Sequence, residues 1–101
     1  MGNRLELQTR LEDILGSRNC YFQPPASIQM VYPAIVYSLS NIDKLYANDD
    51  MYKALKAYTV TLIDRNPDTQ YLEEILKLPY CRFNRFYTAD NLNHWVFTLY
   101  Y

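Results

Sequence analysis

The chain has 101 residues, half of them hydrophobic on a broad count and 16% aromatic, which fits one folded domain with a single modest core and argues against disorder. Ten Lys and Arg stand against eleven Asp and Glu, a formal net charge of −1 with no long block of either sign, so nothing marks a sequence-wide binder of nucleic acid or membrane surface. So low a net charge also offers little long-range repulsion against self-association.

Two cysteines, Cys20 and Cys81, lie far apart and in no metal-ligand spacing. With His94 as the lone imidazole, zinc has too few ligands. The start, Gly2-Asn3-Arg4, has no apolar segment of the kind a secretory leader carries, so both thiols are expected to be free in a reducing cytoplasm. No run reaches the roughly 18 apolar residues of a membrane span. Tyrosine is over-used, with eleven copies. Its apolar body and polar tip suit strands and half-buried faces, and it is also enriched at subunit contacts.

In chain order, 5–15 has helical spacing: Leu7, Leu11, Ile14 and Leu15 share a face, and Gly16 supplies a residue suited to positive φ just after it. Residues 19–23 read as a short extended piece, closed by Pro24-Pro25, which a strand interior cannot hold. Residues 26–32 read as a linker with Met30 and Val31 tucked in. After Pro33 comes a strand over 34–39, with Ile35, Tyr37 and Leu39 on one face and Ala34, Val36 and Ser38 on the other.

Residues 41–56 are ambiguous. Asp43 to Tyr46 has strand character, Asn48-Asp49-Asp50 reads as a turn, and 51–56 reads either as a helical turn or as the start of a strand. Residues 57–63, AYTVTLI, are dense in β-branched and aromatic residues and form the strongest strand signal. The reading favoured is a long hairpin over 42–64 with its tip near 48–50. Asn66-Pro67 reads as a helix start, with Leu72, Ile75 and Leu76 as its buried stripe and Pro79 as its stop.

Residues 80–101 read as a closing hairpin turning at Ala89-Asp90-Asn91, with Trp95, Phe97 and Leu99 on one face and His94, Val96, Thr98 and Tyr100 on the other. The order α-β-β-β-α-β-β predicts an α+β fold: a mostly antiparallel sheet of four to five strands with two short helices on one face. The other face, carrying Val36, Ser38, Thr98 and Tyr100, is left able to take a partner.

No catalytic, cofactor-binding or metal residue is assigned. Nothing in the sequence places either cysteine beside His94, and such cysteines more often act as small buried hydrophobes. The aspartates 49, 50, 64, 68 and 90 fall in turns, where the side chain bonds its own backbone. With Gly2 and Gly16 alone there is no phosphate loop. Lys77, Arg82 and Arg85 interleave with Tyr80, Phe83, Phe86 and Tyr87, a pattern seen in platforms for single-stranded nucleic acid. The plainer reading is an exposed strand with its arginines in solvent and its aromatics in the core. A third is that the arginines meet acids of a neighbouring subunit.

The wording of residues 58–68, YTVTLIDRNPD, and 86–101, FYTADNLNHWVFTLYY, resembles small proteins of tailed bacteriophages encoded among the head–tail joining and tail genes. YFQPP at 21–25 and YPAIVY at 32–37 fit the same pattern, so the likeness spans nearly the whole chain. It implies a tail terminator, or tail-completion protein, of long non-contractile tails. Such a protein is α+β and forms a hexameric ring of identical subunits on the tail tube, meets the head connector, and lets genome DNA pass without specific binding. It is a virion protein of the tail or head–tail interface, assembled in the host cytoplasm, with no membrane contact and no enzymatic activity. A head-side neck or stopper protein is the alternative within that class, and a small nucleic-acid-binding module the alternative outside it. The expected contact residues are Tyr46, Asn48, Asp49, Asp50, Tyr52, Lys53 and Lys56 of the 42–57 arm, with Arg82 and Arg85 of the closing hairpin.

Overall fold

The computed structural model describes residues 4–25, 27–47 and 50–101. Helix α1 (Arg4–Leu15) leads to strand β1 (Cys20–Phe22), then the long strands β2 (Ala34–Ala47) and β3 (Asp50–Asp64). Helix α2 (Leu72–Leu76) and the strands β4 (Cys81–Ala89) and β5 (Leu92–Tyr100) follow. The fold is α+β: one five-stranded sheet in the order β1-β2-β3-β5-β4, antiparallel except where β1 runs parallel to β2.

Register explains which face is buried. Phe22, Tyr37, Val60, Phe97 and Phe83 stand side by side across the five strands. Cys20, Ile35, Leu62, Trp95 and Phe86 form a second row on the same face. Both helices lie over this face and complete the core with Leu7, Leu11 and Leu15 of α1 and Ile75 of α2. Tyr37 and Phe97 are fully buried, and Phe83 meets Phe97 edge-on at 5.6 Å.

Helix α1 is fixed by more than its leucines. Gln8 donates to the Cys20 carbonyl at 2.9 Å and to Glu12 at 3.1 Å, and its own oxygen accepts from the Tyr37 hydroxyl. Arg4 lies over the Phe22 ring, 4.5 Å from its centre. The helix closes at Gly16, whose φ of +73° is one a side chain would resist. Its N–H still bonds Glu12 at 2.8 Å.

Four local expectations need correction. Val31 is 64% exposed rather than tucked in, held through its backbone N–H to the Tyr21 hydroxyl and not by its side chain. The helix foreseen from Pro67 does not begin there: Asn66 uses its side-chain oxygen to accept from the Asp68 N–H at 3.0 Å, an Asx turn, and α2 starts five residues later without a side-chain cap. With only five residues α2 buries Ile75, while Leu76 is 43% exposed. The strand foreseen for 34–39 runs on to Ala47 through a register shift after Leu39, and Leu39 itself is exposed.

Residues 51–56, left open between helix and strand, belong to β3. The β2–β3 hairpin therefore outruns the sheet. Strand β5 ends opposite Ala57, and β1 covers only Ile35 to Tyr37 of β2. At about 3.4 Å per residue, the ribbon beyond that point is on the order of 20 Å long. This accounts for a longest dimension of 51 Å against 27 and 23 Å, and for a radius of gyration of 14.6 Å, where a compact chain of this length has about 13 Å.

Candidate interaction surfaces

The helix-free face of the sheet is built by the alternate residues of each strand. In register across it run Tyr21, Val36, Thr61, Val96 and Arg85, then Ser38, Thr59, Thr98 and Arg82, then Ala34, Ile63, His94 and Tyr87. Ile63 and Val96 are buried low between their neighbours, and the threonines are half-buried. Val31 borders this face, where its N–H donates to the Tyr21 hydroxyl at 3.4 Å.

Strand β4 holds the most informative local feature. Its sequence Arg82-Phe83-Asn84-Arg85-Phe86 repeats at a spacing of three. In an unbroken strand, residues three apart point to opposite faces. A register shift between Phe83 and Arg85 resolves this: Asn84 is the extra residue, so Arg82 stands opposite Thr98 and Arg85 opposite Val96, both on the helix-free face. Phe83 and Phe86 then stand opposite Phe97 and Trp95 on the helix side. Asn84 donates to the Thr98 hydroxyl at 2.6 Å, which pins the bulge. A bulge re-aims side chains and disturbs an edge for further pairing.

Both arginines are exposed, as expected. Arg85 packs over the Tyr87 ring at 5.3 Å, and Tyr87 stacks on His94 with ring centres 4.6 Å apart and planes 9° apart. The aromatics of β4 are not fully in the core, however. Because β4 is the edge strand and α2 is short, Phe83 and Phe86 are 43% and 49% exposed. The R-F-N-R-F spacing was the sequence signal for this two-sided edge.

The remaining expected contact residues sit elsewhere. Tyr46 is in the outer part of β2, and Asp50, Tyr52 and Lys53 are in the outer part of β3, with their side chains outside the described portion. Asn48 and Asp49 lie outside the described residues. Lys56 is half-buried, and its carbonyl accepts from the Tyr101 N–H at 3.0 Å where the arm leaves the sheet. The arm and the arginine pair are not brought together, because β5 separates β3 from β4.

The cysteines and the histidine are also kept apart. Cys20 and Cys81 are free thiols on the helix side of the sheet, and His94 is on the other side with Nδ1 3.2 Å from the Leu92 carbonyl. Burial pushes the Cys20 thiol up to about 12, with the nearby Glu12 charge adding to it, and burial raises Cys81 too. Both stay protonated and unreactive near neutrality. Among the described residues no group of His, Cys, Asp and Glu is placed to hold a metal, and no helix is long and apolar enough to cross a membrane. No family model, curated protein or solved structure matches this chain.

Proposed function

We propose that this chain is a structural subunit of a tailed-phage particle. In this reading it forms a ring on the end of the tail tube, stops tube growth and joins the tail to the head connector. The role comes from the resemblance of residues 58–68 and 86–101 to phage tail-completion proteins. The observation that carries the means is the β2–β3 arm, which leaves the sheet where β5 ends opposite Ala57.

A ring of identical subunits uses head-to-tail contacts, so each subunit needs two different surfaces for its neighbours and a further one for the tube. The helix-free face, the helix-covered face and the arm are three such surfaces on one small body. An isolated two-stranded ribbon is marginal in water, so an arm of this kind is best stabilised by what it docks on. Tail tube and connector are the partners, and DNA passes the ring without sequence recognition.

The test is electron microscopy of particles produced without this protein. Over-long tails detached from heads are expected. Tails of normal length beside heads that leak DNA would instead make it a head-side stopper, and normal infectious particles would contradict both roles.

A further inference from the structure

The two faces of the sheet differ in charge, and the difference has the sign needed for self-recognition. Across the helix-free face the strand residues with described side chains include Arg82, Arg85 and His94 and no acid. Helices α1 and α2 with the adjoining Lys77 carry five acids, Glu6, Glu12, Asp13, Glu73 and Glu74, against three bases. Glu6, Asp13, Glu73 and Glu74 are exposed, as are Arg10 and Lys77, and Lys77 meets Glu74 in a solvent-exposed pair at 3.2 Å. Among the described side chains the strand residues of the helix-free face therefore carry two arginines and no acid, while the helices with Lys77 carry a net charge of −2 (five acids less three bases).

The basic side is also built, not incidental. The Asn84 bulge is what sets Arg85 beside Arg82 on one face, and the Tyr87–His94 stack holds the Arg85 guanidinium. A pre-positioned arginine loses less side-chain freedom on binding than a free one. Pairing β4 with β4 of a second copy is disfavoured, because it would gather four arginines on one face of the joint and the bulge interrupts the edge.

We infer that the helix-free face around Arg82 and Arg85 binds the acidic α2 side, at Glu73 and Glu74, of a second copy of this chain. The contact uses different surfaces on the two copies, so it propagates head to tail and closes as a ring when the rotation permits. It rests on the ring reading above and names the surfaces that make the ring. Threonines 59, 61 and 98 make it a polar and wet contact, with charge setting register and partner choice.

The experiment measures the mass of the full chain across concentration, at low and high salt, by sedimentation or native mass spectrometry. Four forms are compared: the wild type, Arg82→Glu with Arg85→Glu, Glu73→Arg with Glu74→Arg, and the four-fold combination. All four positions are exposed, and circular dichroism checks that each variant folds. Salt-sensitive assembly of the wild type is expected, with each reversal weakening it about 10- to 100-fold and the combination recovering most of the loss. Assembly untouched by either reversal overturns this contact while leaving the ring reading intact. Loss with the arginine reversal that the glutamate reversal does not rescue overturns α2 as the occupant. A wild type that stays monomeric overturns the contact as well, and the tail-length experiment then decides the ring reading separately. Arginine-dependent retention of single-stranded DNA by such a monomer would assign the face to a polyanion instead.

Discussion

The two hairpins of this molecule obey the same pairing rule and end in different situations. In β4–β5 both strands stay within the sheet, and the turn is tight: Asp90 and Asn91 take φ of +54° and +62°, the left-handed pair that matches the twist of a two-residue hairpin. In β2–β3 the inner half is the middle of the sheet, and among the described residues the outer half has no neighbouring strand on either side. The helices decide the difference. Where α1 and α2 cover the sheet, alternating apolar residues become core, as with Tyr37 and Phe97; beyond them the same alternation leaves Leu39 and Ile42 in solvent. One hairpin anchors the fold, and the other extends beyond the strands that flank it.

That contrast can be broken by mutation. Phe97→Ala empties the centre of the core and should cost about 3–5 kcal/mol in a denaturant titration, whereas Ile42→Ala on the arm should cost less than about 1 kcal/mol. Equal costs would show that the arm belongs to the core. Replacing 43–55 by a short turn should leave a folded protein with a thermal midpoint within a few degrees of the parent, yet particles made with it should fail to join tails to heads. A normal yield of infectious particles would remove the arm from the account.

Smaller effects sharpen the comparison. Asn91→Val forces a β-branched residue to a positive φ and should cost roughly 1–2 kcal/mol, read as a lowered midpoint. Deleting Asn84 removes the extra residue of the bulge while keeping Arg85 and Phe86 on their faces, so the hairpin should survive with a loss of about 1 kcal/mol or less. Collapse of the fold on that deletion would contradict the register given for β4.

Alkaline pH tests the thiols. Burial raises the folded-state pKa of Cys20 from 9.0 to about 12 and also raises Cys81, Tyr37 and Tyr58. The neutral forms are the ones the fold favours, so their contribution is complete below the unfolded thiol value and is lost as pH rises from about 9 toward 12. Stability should be insensitive to these groups near neutrality and fall through that alkaline window. Cys20→Ser should not abolish the function.

Much of this was legible in the sequence, for identifiable reasons. The alternation of Trp95, Phe97 and Leu99 and the Asp90-Asn91 turn are local signals that packing reinforces, so the closing hairpin follows from its residues. The leucine stripe of α1 is legible for the same cause, and Gly16 marks its end. What escaped was non-local or ambiguous. Asn66-Pro67 serves equally as a helix start or an Asx turn, and only the packing of Ile75 decides where α2 begins. The parallel pairing of β1 with β2 depends on the loop that returns past Pro33. The joint placement of Arg82 and Arg85 required recognising a three-residue spacing as a bulge. Of the contact residues expected on the arm, Tyr46 falls in β2 and Tyr52, Lys53 and Lys56 in β3, while Asp50, expected in the turn, opens β3; Asn48 and Asp49 lie outside the described residues.

The central claim is that this subunit limits and joins a phage tail, and tail length tests it most directly. In electron micrographs of particles assembled without the protein, the account predicts tails longer than normal and unattached to heads. Tails of uniform normal length, joined to filled heads, would contradict it.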